Sequence, residues 1–200
     1  MNRNTLLGTL MLTPLLGASD SFVKAVSLWL AGLLVVGLYG ASSRALSPKL
    51  GTVMAWPAQI VLAAGSASLV SLGLQVWSWE LQQALGIYLA LLSVQCLALE
   101  HWAFFRKGGL RENIRLFTSF GALLTCLGLL REVLADGTLF AHLPWWTGSA
   151  APGPLRFFAA ESGLRLAGLL PGGFILLGLL LAGKQAWTLR STSHRVLQRK

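Results

Sequence analysis

Residues 164–187 read LRLAGLLPGGFILLGLLLAGKQAW, and between Arg165 and Lys184 the run holds no charged side chain. A helix rising 1.5 Å per residue needs about 20 apolar residues to cross the roughly 30 Å hydrocarbon layer of a bilayer, so this stretch is long enough to span one. It also contains its own interruption. Pro171 lacks an amide proton and Gly172-Gly173 follow it, so the helix should break there. Inside a membrane, such a break survives only where protein or a cavity satisfies the freed backbone groups. Working outward, five further apolar stretches fall between charges or turn signals, at residues 6–18, 22–41, 53–76, 81–102 and 117–134. The expectation is one polytopic membrane domain over residues 1–200, all-α, with six transmembrane helices. The first stretch is short and carries Pro14, which suits a half-inserted helix. Arg3, the apolar run to Leu16 and the small residues Gly17, Ala18 and Ser19 also fit a cleavable signal peptide.

Composition agrees with the spans. Hydrophobic residues make up 54% of the 200 before any of the 22 glycines is counted, and charged residues only 12%; soluble domains reach roughly 45–50% apolar with glycine included. Disordered, collagen-like, disulfide-rich and soluble nucleic-acid-binding classes are excluded. The net charge of +9 therefore needs no nucleic acid partner, because Lys and Arg collect on the cytoplasmic loops of membrane proteins. Six spans put Arg3, Arg44, Lys49, Arg106, Lys107, Arg111, Arg115, Lys184, Arg190, Arg195, Arg199 and Lys200 on one side. Only Lys24, Arg131, Arg156 and Arg165 fall on the other side or its helix ends. Both termini are thus expected in the cytoplasm. On the opposite side, residues 135–163 form the longest connection; Asp136-Gly137 reads as a turn, and Trp145, Trp146, Phe157 and Phe158 suit an aromatic belt at headgroup depth.

Small residues are dense where helices should touch: Gly168, Gly173, Gly178 and Gly183 in the last span, and Gly65, Ser66, Ala67 and Ser68 in the third. Two three-span halves entering from opposite sides would have the symmetry of an inverted repeat. Chemistry-bearing residues are sparse. The sequence has no GxSxG, HExxH, CxxC or glycine-rich phosphate loop, and His101, His142 and His194 are scattered. Glu100 and His101 read as side chains reaching back to water, and Arg131-Glu132 as a pair that packs against other helices. Cys96 and Cys126 lie in apolar runs, where a cysteine is ordinarily a small buried hydrophobe. Two distant cysteines cannot supply a four-thiolate iron–sulfur cluster, so a second protein chain would have to contribute.

Four collinear stretches carry a family resemblance: LREVLADGTLF at Leu130–Phe140, LLPGGFILLGLLLAGK at Leu169–Lys184, LTPLLGAS at Leu12–Ser19 and ALGIYLALLSVQC at Ala84–Cys96. The chain resembles the E-type subunits of the bacterial Rnf/Rsx ion-translocating electron-transport complex, and their sisters, the D-type subunits of the sodium-pumping NADH:quinone reductase. The resemblance implies two inverted three-helix repeats with broken helices, and a multi-pass protein of the cell inner membrane. It implies pairing with the homologous A-type subunit and contact with the flavin-bearing D and G subunits. The complex would couple electron transfer between ferredoxin-like carriers and NAD(H) to Na+ or H+ translocation, without a complete active site in this chain. It further implies a [2Fe-2S] cluster between the two paired chains, each giving one cysteine from its first helix and one from its fourth. Cys96 matches the fourth-helix ligand. Thr13 stands where the first-helix cysteine should be, and past Cys96 the chain reads ALEHWAFF where the family has a small Gly-Arg-Ala-Glu stretch. A non-redox structural or assembly subunit that has lost its cluster is the alternative.

Overall fold

Apolar side chains all round a helix suit a solvent that is itself apolar, and the computed structural model builds such helices. It describes residues 16–46, 55–101, 110–147, 155–156 and 165–197. A single 3-10 turn at Leu16–Ala18 leads into α1 (Phe22–Leu46), α2 (Ala55–Trp77), α3 (Trp79–His101) and α4 (Leu110–Asp136). Among the described residues, four helices are long and apolar enough to cross a membrane: α1, α2, α3 and the Phe117–Asp136 part of α4. They match the expected stretches 22–41, 53–76, 81–102 and 117–134, with ends that differ by a few residues. On α2 and α3, Val61, Leu69, Val76, Ile87 and Val94 are exposed, an arrangement costly in water but not against lipid. Of the expected 6–18 span, all but residues 16–18 lies outside the described residues.

Ser78 alone joins α2 to α3. Its amide continues the first helix by donating to Leu74 O at 2.8 Å, and its hydroxyl accepts from Leu81 N at 3.3 Å, capping the second helix at its third position. α1 and α4 pack antiparallel, as three contacts in reversed order show. A Cβ on Gly128 would lie 2.8 Å from Ala25 Cβ, one on Gly121 would fall on the Trp29 indole, and one on Gly32 would lie 3.6 Å from Phe117. The buried stripe of α3, made of Leu81, Leu85, Leu89, Leu92, Cys96 and Leu99, completes the core with Leu28, Val35, Tyr39, Leu124 and Leu127.

The last span breaks where Pro171 says it should. α6 (Arg165–Gly168) stops, Leu169 bends, and α7 (Leu170–Leu197) starts in a new direction. The apolar part of α7, Pro171–Gly183, is shorter than a full crossing, and the helix runs past the expected end at residue 187. A Cβ on Gly172 would fall on the Leu166 carbonyl oxygen and lie 2.8 Å from Ala167 Cα, because the chain after the bend doubles closely on the turn before it. Gly172→Ala should therefore force the break open at about 1–3 kcal/mol. Thermal unfolding in detergent tests this, and an unchanged midpoint would contradict so tight a bend.

Between α4 and α6 the chain makes a turn at Gly137, whose φ is 61°, as Asp136-Gly137 suggested. It then forms two features that no sequence pattern marks. Thr138–Leu139 (β1) pairs antiparallel with Leu155–Arg156 (β2), and Pro144–Thr147 forms the short helix α5. Trp145 and Trp146 are half-buried against the core, and Trp146 Nε1 donates to Ser27 Oγ at 2.8 Å. Phe157 and Phe158 lie outside the described residues. Among the expected close-packing residues, Gly168 meets Ala135 and Gly173 meets Arg131, whereas Gly65, Gly178 and Gly183 meet nothing among the described residues.

Candidate functional site

Arg131 and Glu132 are each 1% exposed, on a helix that is otherwise apolar around them. Successive residues on a helix project about 100° apart, so the two neighbouring side chains reach different partners. Arg131 turns toward the break in the last span. Its Nε donates to Ala167 O at 3.1 Å, Nη2 donates to Gly168 O at 2.8 Å and more weakly to Leu169 O at 3.5 Å, and Nη1 donates to Ser19 Oγ at 3.2 Å. The first of these bonds has a covalent cause. In an unbroken helix the Ala167 carbonyl would receive the amide of residue 171, and proline has none. The guanidinium supplies what the ring removed, and its planar fork serves three consecutive carbonyls at once. Gly173 makes room: a Cβ there would press on Nη1 at 3.3 Å.

Glu132 turns toward the start of α1. Its Oε2 accepts from Phe22 N at 2.8 Å and from Ser21 Oγ at 3.4 Å, and its Oε1 accepts from Ala141 N at 2.7 Å. Ser21 is the N-cap of α1, since its carbonyl accepts the first helical bond from Ala25 N at 3.0 Å. Its hydroxyl does not cap its own helix. It joins Glu132 and shares a 3.1 Å hydrogen bond with His142 Nδ1. A carboxylate from another helix therefore takes the capping position, where the positive end of the α1 dipole favours negative charge. Around this centre, Lys24 Nζ pairs with Asp20 Oδ2 at 2.7 Å and lies 5.6 Å from the Trp145 ring, which His142 meets edge-on at 4.4 Å.

Residues 131 and 132 thus tie the turn before α1, the start of α1, the loop after α4 and the broken last span into one end of the bundle. Sequence reasoning found the pair and expected it to pack against other helices, as it does. It missed Ser19, Ser21 and His142. The clue was local: Ser19-Asp20-Ser21 supplies short polar side chains where a membrane helix begins, a place that needs capping oxygen atoms.

The expected cluster ligand is elsewhere. Cys96 is 0% exposed in the stripe of α3 that faces the core; Cys126 is exposed on α4; and Thr13 lies outside the described residues. Among the described residues, no three His, Cys, Asp or Glu side chains converge as a metal site would require. The donor set does not fit the four-thiolate cluster that the resemblance implies, because this chain offers one suitably placed thiol where its half of the site needs two. A cavity lined by Leu28, Trp29, Gly32, Val36, Leu92, Gln95, Leu99, Phe117 and Phe120 holds only about 10 Å³, room for a single water and no cofactor.

Residues 1–181 match the family model described as Rnf-Nqr subunit, membrane protein. The chain is similar to proteins named as the E component of an ion-translocating oxidoreductase complex. One from Pseudomonas aeruginosa (strain UCBPP-PA14) is 35% identical over 92% of this chain and 79% of the relative. One from Pseudomonas paraeruginosa is 37% identical over the same shares, and one from Escherichia coli O1:K1 / APEC is 33% identical over 92% of this chain and 82% of the relative. With apolar spanning helices, a helix broken at Pro171 and this collinear similarity along nearly its whole length, the chain belongs to the Rnf-Nqr family of membrane subunits.

Proposed function

We propose that the chain works in the bacterial inner membrane as the E-type subunit of an Rnf-type complex that couples electron transfer between ferredoxin-like carriers and NAD(H) to Na+ or H+ translocation. The observation that carries this reading is similarity to E-type relatives over 92% of the chain. In this reading six spans form two inverted three-helix repeats with both termini in the cytoplasm; the antiparallel packing of α1 on α4 is the relation such repeats require of their middle helices. The homologous A-type subunit and the flavin-bearing D and G subunits are the partners. The chain's own contribution is a rigid, apolar wall whose broken span is held by Arg131.

Isolation of the tagged chain from its native membrane should bring down the A-type and flavin-bearing subunits. Deleting it should abolish ferredoxin-linked NAD+ reduction in membrane vesicles, with sodium dependence and uncoupler sensitivity separating Na+ from H+ coupling. A chain that purifies alone, and whose deletion leaves that activity intact, would overturn the reading.

A further inference from the structure

We infer that this chain contributes no ligand to an iron–sulfur centre, and that Cys96 has become a packing residue of an insulating scaffold subunit. The inference rests on the proposed role in an Rnf-type complex and deepens it.

The spacing of buried residues on α3 carries the argument. Leu85, Leu89, Leu92, Cys96 and Leu99 recur at intervals of four, three, four and three residues and are all 3% exposed or less, the seam of a helix facing a core. Cys96 occupies a leucine position in that seam and is surrounded as a small hydrophobe would be. The remaining donors do not gather around it. The other cysteine, Cys126, is exposed on α4 and so does not share the closed core that holds Cys96. The matching first-helix position is Thr13, whose neutral hydroxyl is a far poorer partner for iron than a thiolate. Two subunits sharing a cluster need two thiolates from each, and this chain has lost one of its pair. The stretch after Cys96 has changed in the same direction, with Trp102, Phe104 and Phe105 where small residues are expected.

The test uses the whole complex, isolated through a tag on this chain, as wild type and as Cys96→Ala. Iron, acid-labile sulfide and the EPR spectrum of the reduced complex are measured per complex. Equal iron and superimposable spectra are expected. Loss of two irons and one spectral component, with every subunit still present, overturns the inference, because that is what one [2Fe-2S] centre contains. If Cys96→Ala does not assemble, Cys96→Ser, which nearly preserves the volume, takes its place. The wild-type complex gives an independent reading: iron equal to the capacity of the cysteine motifs in the other subunits upholds the inference, and two further irons overturn it. Failure of the tagged chain to bring down redox subunits strikes the proposed role in the complex instead. A reducible two-iron signal on that lone chain would still overturn the inference, and the tagged complex assembled with its partners decides the rest.

Discussion

Arg131→Leu should leave little folded protein to recover from the membrane. The substitution removes a buried charge, and with it a desolvation cost, so the sign needs argument. Replacing a complete buried ion pair by apolar groups is often neutral, but removing one side of a buried polar set strands the other. Here the stranded groups are the carbonyls of Ala167 and Gly168. Ala167 O has no helical donor to return to, because residue 171 is proline. Each abandoned acceptor costs about 1–3 kcal/mol, and two carbonyls lost together come to about 2–6 kcal/mol, a large part of the roughly 5–15 kcal/mol that holds an ordinary domain together. Arg131→Lys should recover only part of this, since a point charge cannot serve carbonyls spread over three consecutive residues with a planar fork. Fluorescence-detected size exclusion and the thermal midpoint in detergent read the order wild type, Lys, Leu. A Leu variant with the wild-type midpoint would show that the break in the last span holds without the guanidinium.

The architecture was legible wherever a single physical constraint dominated. Length and apolarity located α1 to α4 within a few residues at most boundaries, and Pro171-Gly172-Gly173 located the break, because the bilayer and the missing proline amide act locally. Long-range partners were not legible in the same way. Trp145 and Trp146 read as membrane-surface residues because an indole has an apolar body and a polar tip; which group takes the tip of Trp146, Ser27 Oγ, is seen only in the folded chain. The glycines divide between contacts inside this chain and faces left for neighbours. The last span's Gly178 and Gly183 meet nothing among the described residues, while Gly121 and Gly128 of α4 accept Trp29 and Ala25 in a stretch, FTSFGALLTCLG, whose small residues the reading did not single out. The charged pair was found by its type, since a charge in a span demands a partner. Its partners were hidden because backbone groups of residues 22, 141, 167 and 168 leave no mark in side-chain identity.

Glu132→Gln should cost nearly as much as Glu132→Ala, although it keeps the size and shape of the side chain. The carboxylate has a donor at each oxygen: Phe22 N and Ser21 Oγ at Oε2, and Ala141 N at Oε1. A glutamine amide has one oxygen and one NH2 group. Whichever way it is turned, the NH2 group meets a backbone N–H, and two donors then face each other in a buried site. The variant also loses the negative charge that the N-terminal end of α1 favours, worth about 0.3–2 kcal/mol, and a charge-assisted bond worth about 1.5–3 kcal/mol. The sum, about 2–5 kcal/mol, should appear as a lower thermal midpoint. Hydrogen exchange should localise it, with faster exchange at the first turn of α1 and around Ala141, while the α6–α7 bend, held by Arg131 through separate bonds, changes least. The same variant separates capping from ion handling. A Glu132→Gln protein that keeps the wild-type midpoint and exchange pattern, yet abolishes ion translocation by the assembled complex, would move the carboxylate from the structure of the membrane domain to its transport chemistry.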